Sequence, residues 1–171
     1  MPRTRKSKDD IRELIKQYRD LFQYYREKAY SIPKPRLTPT LSESLLAYLL
    51  EDNRVRLGTH TIRNVTFSRT GGDLTFQSSD GKTIRVEVKS TAECAFQYFG
   101  QKDCDADYLV WMHFGNMLRT SESNTIEVIV ITGPDLRAKK NQLPQSMKVT
   151  LDRIREVFPE SPMQEIQFND I

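Results

Sequence analysis

This chain has little that suits covalent cross-linking or soft-metal chemistry. Of its 171 residues only two are cysteine, Cys94 and Cys104, and two are histidine, His60 and His113. The cysteines do not form a CxxC pair, which argues against a structural zinc site and for free thiols in a reducing cytoplasm. Long hydrophobic runs are also missing. The longest apolar stretches fall well short of the ~20 residues a membrane-spanning helix needs, so no membrane partner is expected. The opening residues MPRTRKSKDD are basic but carry no apolar signal segment, and a cytoplasmic location is the expectation. Neither internal repeats nor low-complexity tracts occur. Charge of one sign does not dominate either: the formal net charge is +3, which permits nucleic-acid binding without requiring it. With 37% hydrophobic and 29% charged residues, the chain has the composition of a globular domain with a true core.

The most informative stretch runs from Gly71 to Thr91, GGDLTFQSSDGKTIRVEVKST. Leu74 and Phe76 alternate with Asp73, Thr75 and Gln77, and Ile84, Val86 and Val88 alternate with Arg85, Glu87 and Lys89. This period of two predicts a pair of half-buried strands, with Ser79-Asp80-Gly81 as the hairpin turn. The apolar residues of both strands must face the same way, and a three-residue loop satisfies that: Phe76 falls opposite Ile84 and Leu74 opposite Val86. A two-residue loop would set Phe76 against Arg85. The favoured register places Asp73 opposite Glu87, with Lys89 one pleat further along on the same face. Directly opposed side chains in a hairpin have Cβ atoms roughly 4.5–5.5 Å apart. Two carboxylates so close repel unless one is protonated or a hard cation such as Mg²⁺ lies between them. A lysine beside that ion can orient or deprotonate a water, a grouping suited to metal-assisted hydrolysis of a phosphodiester. Glu-x-Lys alone carries little information, because amphipathic strands often expose an acid and a base; Asp73 at the matched position and the flanking elements add the weight.

Asp73, then a hairpin, then Glu87-Val88-Lys89 resembles the PD-(D/E)xK nuclease superfamily, which includes many restriction endonucleases. The resemblance covers about Leu41 to Phe114, and Gly72 stands where the superfamily's proline would be. It implies an α/β fold of restriction-endonuclease type, with a central mixed sheet flanked by helices on both faces. It further implies a Mg²⁺-dependent DNA endonuclease, with Mn²⁺ able to substitute. Asp73 and Glu87 would hold the metal, and Lys89 would position or activate the attacking water. A supporting glutamate on the helix before the hairpin is common in the superfamily, and Glu43 is the candidate. A type II restriction-like enzyme is the first expectation, working on double-stranded DNA as a homodimer with a cognate methyltransferase as a further partner. A Holliday-junction resolvase, a DNA-repair nuclease and a non-catalytic DNA-binding or interaction module are the alternatives.

The remaining chain supplies scaffolding and basic side chains. Residues 1–36 are expected to hold a basic arm, an amphipathic helix and a linker, and residues 37–171 the nuclease-like core with its C-terminal elements, together one compact unit. Ser7 with Asp10 marks a helix start, and Ile11, Leu14, Ile15, Tyr18, Leu21, Phe22, Tyr25 and Ala29 follow at helical spacing to about Tyr30. That stripe suits the core or a subunit interface. Leu41–Leu50 reads as a second helix capped by Thr38 or Thr40, with Glu43 on the face of Leu46, Ala47 and Leu50, and with Glu51 and Asp52 as solvated end residues. Residues 56–68 are expected to form a strand, and residues 92–102 a helix bearing Gln97 and Lys102. The alternating acids of DCDAD fail as a calcium loop, since Tyr108 and Phe114 stand where Gly and Glu are needed; they are expected to lie in a charged loop. Residues 108–114 and 126–131 are near-continuous apolar runs, as in strands buried on both faces. Gly133-Pro134-Asp135 starts a short helix; residues 147–158 suit either strand or helix, and the tail from Ser161 has no assigned order. Arg3, Arg5, Lys6, Lys102, Arg137, Lys139 and Lys140 are candidate DNA-backbone contacts, with solvated surface as the alternative.

Overall fold

The structure is a computed structural model that describes residues 4–28, 31, 34–68, 72–92, 95–97, 100–120, 123–143 and 149–168, without the side chains of 95–97, 101 and 102. Ser7 and Asp10 form a reciprocal capping box at the start of helix α1 (Lys8–Glu27). The predicted stripe is buried at Ile11, Ile15, Tyr18 and Phe22, while Leu21 and Tyr24 stay exposed. This stripe packs into the same apolar cluster as helix α2 (Pro39–Glu51) and one face of the sheet. Arg19 secures α1 further by donating to the carbonyls of Met117 and Ser123 at 2.9 and 2.7 Å. The helix therefore spends its apolar face inside its own chain. α2 starts with Thr38 at its cap position and Pro39 in its first turn, where a missing N–H costs nothing, although the Thr38 side chain makes no capping bond.

Six strands form the main sheet: β1 (Thr66–Phe67), β2 (Leu74–Gln77), β3 (Thr83–Thr91), β5 (Tyr108–His113), β6 (Thr125–Thr132) and β8 (Met163–Gln167). Their spatial order is β1-β2-β3-β5-β6-β8. All neighbours are antiparallel except β3 and β5, so the sheet is mixed. The hairpin register is the one the alternation demands, Phe76 opposite Ile84 and Leu74 opposite Val86. Ser78 N–H donates to the Lys82 carbonyl and closes the three-residue loop.

β5 and β6 are buried on both faces, as their apolar runs require. Val110, Met112, Ile126 and Val128 join the cluster beneath α1 and α2. Leu109, Trp111, Ile129 and Ile131 join a second cluster with Leu136 of α5 (Gly133–Lys139) and with Leu151, Ile154 and Val157 of α6 (Leu151–Val157). Helix α4 (Gly115–Arg119) adds Met117 and Leu118 to the first cluster. The protein is thus α/β, with helices on both faces of one mixed sheet.

Two expectations are corrected here. Residues 56–68 form a strand only at Thr66–Phe67. Asn64, with φ 54°, breaks the extended run just before it, and a turn from His60 N–H to the Leu57 carbonyl folds the preceding part. Val55, Leu57, Ile62 and Val65 are still buried, as loop anchors. Residues 92–102 are not one helix: β4 (Ala95–Gln97) pairs with β7 (Val149–Thr150), and helix α3 is confined to Gln101–Cys104. Gly100 inside the predicted helix carries a penalty of about 1 kcal/mol, and the aromatic stretch around Phe96 favours extended structure. The C-terminal tail is ordered through β8, which pairs with β6. The stretch left open between strand and helix is both in turn: β7 ends at Thr150, whose hydroxyl caps α6 by accepting from Arg153 N–H.

Candidate active site

The hairpin sets the site. Pairing between β2 and β3 ends at Leu74–Val86, one residue short of the expected Asp73–Glu87 opposition. Gly72 turns the chain away with φ 94°, a conformation that proline, locked near −65°, cannot adopt. Proline is therefore excluded at this position. A Cβ at this position would lie 3.1 Å from the Val86 carbonyl oxygen. Asp73 completes the pairing with its side chain: its N–H donates to the Val86 carbonyl, and its Oδ2 accepts from Val88 N–H, both at 2.9 Å. The carboxylate takes the place of a strand backbone where the strands diverge, so Asp73 is a side-chain cap on β3 rather than a cross-strand partner of Glu87.

Glu87 and Lys89 project from β3 on the side of the second apolar cluster, since their β5 partners are Leu109 and Trp111. Glu43 arrives from α2, which packs on β3. Glu43 and Glu87 are 2% and 3% exposed, and Asp73 is 8% exposed. Glu43, Asp73, Glu87 and Lys89 line one cavity of about 250 Å³, together with Leu37, Pro39, Ser42, Val88 and Ser90. The four side chains singled out in the sequence are therefore brought together.

Lys89 is held by two acids. Its Nζ lies 2.7 Å from Asp103 Oδ1 and 3.3 Å from Glu87 Oε1. Burial is the strongest influence on this amine and pushes it toward neutrality. The hydrogen bond and charge of Asp103, followed by the charge and hydrogen bond of Glu87, outweigh burial and raise it above the ordinary lysine value. The pair of acids thus favours the ammonium form of Lys89, which can donate to a phosphate or a water.

Asp103 is the residue that sequence reasoning missed. It is 4% exposed and sits at the third position of α3, where its Oδ2 accepts from Gly100 N–H at 2.7 Å. Gly100 followed three residues later by an acid is a helix-start signal that was available in the sequence. Its pairing with Lys89 was not, because only the β3–β5 crossover brings them together.

The basic candidates are dispersed. Arg5 bonds Glu51 at 2.8 Å and stacks on the Tyr48 ring at 3.6 Å, so it is a structural clamp on α2 and not a loose arm. Lys6 follows it, its backbone N–H donating to Ser44 Oγ. Glu51 is likewise no solvated end residue, since its other oxygen accepts from Val65 N–H at 2.8 Å. Arg137 donates to the Cys104 carbonyl at 2.7 Å, and Lys139 lies 5.7 Å from the Phe158 ring. Lys140 lies at the end of α5, in the short 3₁₀ turn Lys140–Gln142. Arg3 and the side chains of Lys102 and Gln97 lie outside the described residues. His113 is buried, with Nδ1 2.6 Å from Glu127 Oε2. A second, larger cavity of about 410 Å³ opens near the hairpin tip between His60, Lys82, Asp107 and Tyr108. Its Asp107 accepts from Arg85 N–H and lies within ion-pair distance of Lys82 and Arg85, so it is a less promising centre for chemistry.

Among the described residues, no three His, Cys, Asp or Glu side chains form a group that could hold a metal ion by themselves. The donor set facing the smaller cavity nevertheless has the right chemistry for a hard cation. All three acids offer oxygen, and Mg²⁺ commonly uses only one or two carboxylates and retains several waters. None of the family models, curated proteins or solved structures compared with this chain matches it. No helix among the described residues is long and apolar enough to cross a membrane.

Proposed function

We propose that this protein is a Mg²⁺-dependent DNA endonuclease of the type II restriction kind, built on a restriction-endonuclease-like core. One observation carries the reading: Glu43, Asp73, Glu87 and Lys89, from a helix and both strands of a hairpin, line a single cavity. Three acids and one lysine line it, and burial disfavours carboxylates that are ionised without a counter-charge. A divalent cation supplies such a counter-charge better than any other common ligand.

In this reading Asp73 and Glu87 would hold Mg²⁺, with Mn²⁺ as a substitute, and the ion would supply Lewis-acid polarisation of the phosphodiester. The chain's own groups supply the rest. Val88 N–H fixes the Asp73 carboxylate, so its aim is set by the backbone of β3. Lys89, kept as an ammonium, donates toward a phosphate oxygen and orients the attacking water rather than deprotonating it. Glu43, buried on α2, closes the cavity from the opposite side and supports the metal or the lysine. Double-stranded DNA is the substrate, a homodimer would provide one site per strand, and a methyltransferase would protect the host's own DNA.

The test is incubation of unmethylated phage DNA with the wild type and Lys89→Ala, each with Mg²⁺ and with EDTA. Discrete bands that require Mg²⁺ and fall by about 10²–10³-fold in Lys89→Ala are the expected result. A metal-dependent smear would move the assignment to a junction resolvase or repair nuclease. The rival reading is a non-catalytic interaction module. Calorimetry separates the two: Mg²⁺ or Mn²⁺ binding that disappears in Glu87→Ala supports the nuclease, and its absence from the wild type overturns it.

A further inference from the structure

We propose that Asp103 is the positioning residue for Lys89, holding the ammonium at the mouth of the cavity while Glu87 is given over to other work. The inference rests on the nuclease reading for its purpose, and on geometry for its substance.

The geometry has three parts. The contact between Asp103 Oδ1 and Lys89 Nζ, at 2.7 Å, is the shorter of the two that the lysine makes with acids. Both partners are withdrawn from water, with side chains 5% and 14% exposed, so this is a buried ion pair and not a surface one. The acid is itself immobilised, because its second oxygen accepts from Gly100 N–H at 2.7 Å. A carboxylate gripped at both oxygens fixes the direction as well as the charge of its partner.

The division of labour follows from the position of Glu87. That carboxylate lies 3.3 Å from Lys89 and lines the cavity, whereas Asp103 is not among the residues lining it. An acid whose charge is shared with a cation holds a neighbouring ammonium less strongly. Without a second acid, the lysine would be a buried charge repelled by the same cation. Asp103 removes that conflict from outside the cavity. It does so from the crossover that joins β3 to β5, which ties the orientation of Lys89 to the packing of α3.

The decisive measurement is ¹H–¹⁵N NMR of lysine ammonium groups in the full chain without added metal. An ammonium held in hydrogen bonds away from water exchanges its protons slowly enough to give a signal, which Lys89→Ala identifies by its loss. The signal is expected in the wild type, absent in Asp103→Asn, and shifted but present in Asp103→Glu. If Asp103→Asn keeps the wild-type signal, Asp103 does not position the lysine. Should Asp103→Asn fail to fold, Asp103→Glu decides: a displaced resonance supports the proposal and an unmoved one overturns it. In cleavage assays Asp103→Asn is expected to lower kcat about 100-fold with KM for DNA unchanged, and to add nothing in a Lys89→Ala background. A loss that adds to that of Lys89→Ala would show Asp103 acting elsewhere. If the wild type cuts no DNA, the nuclease reading fails while the ammonium signal still decides the positioning role.

Discussion

The residue that governs the site without reacting is Gly72. Its positive φ turns the chain out of β2, leaves Val88 N–H without a strand partner, and lets the Asp73 carboxylate take that N–H. A side chain at Gly72 meets a strained backbone and the Val86 carbonyl oxygen, which cannot retreat without breaking the hairpin. Gly72→Ala is expected to lower stability by roughly 1–3 kcal/mol, seen as a drop in the urea midpoint at constant slope. Gly72→Pro should be worse, since proline forbids the required φ altogether. A Gly72→Ala variant as stable as the wild type would show that the turn is not strained against substitution. That Glu87 and Lys89 share a face of β3 was legible from alternation and turn chemistry, because period and register are local properties, whereas the expected opposition of Asp73 to Glu87 gave way to the Gly72 turn. Asp103 was not legible in that role, because its partner lies across a crossover.

At the scale of elements, the basic segment before α1, expected either as a solvated terminus or as an arm on DNA phosphates, packs on its own fold. Arg5 reaches α2, pairs with Glu51 and covers Tyr48, while Lys8 pairs with Asp52 at 3.0 Å. These contacts dock the N-terminal segment on α2, the helix that carries Glu43. Arg5→Ala should therefore cost about 1–2 kcal/mol of stability, from a half-buried ion pair and a cation–π contact. It should leave the salt dependence of DNA binding intact. A fall in the log–log salt slope of about 0.9 would instead assign Arg5 to a phosphate. The amphipathic stripe of α1 was legible as a helix, but its periodicity could not choose between its own core and a subunit interface. The buried Ile11, Ile15, Tyr18 and Phe22 make that choice for the core.

At the scale of the whole molecule, three buried or partly buried groups favour their protonated forms together. Lys89 is raised above its ordinary 10.5, against the pull of burial, by Asp103 and Glu87. Burial raises the Cys104 thiol above 9.0 and, with help from Asp107, the Tyr108 phenol above 10.0. A group whose value is raised on folding stabilises the fold fully below its unfolded value and loses that contribution as pH rises through the folded one. All three shifts have the same sign, so stability should decline on the alkaline side, beginning near 9.0 and steepening above 10.5. Urea midpoints at neutral pH and above 10.5 measure it, and Lys89→Met should flatten the upper part of the decline. A midpoint that stays constant across that range would remove the buried ion pair from the account.

What the sequence determined by itself was whatever depends on near neighbours: the capping box at Ser7, the hairpin register, the doubly buried strands β5 and β6, and the inward-facing Glu43. These follow from steric periods and turn geometry that act over a few residues. Only the tertiary structure decided that Ala95–Gln97 pairs with Val149–Thr150, that Met163–Gln167 completes the sheet, that Arg5 clamps α2, and that Asp103 holds Lys89. Each of these joins residues distant in the chain, and their contact energies outweigh local propensity only once the fold has brought the partners within reach.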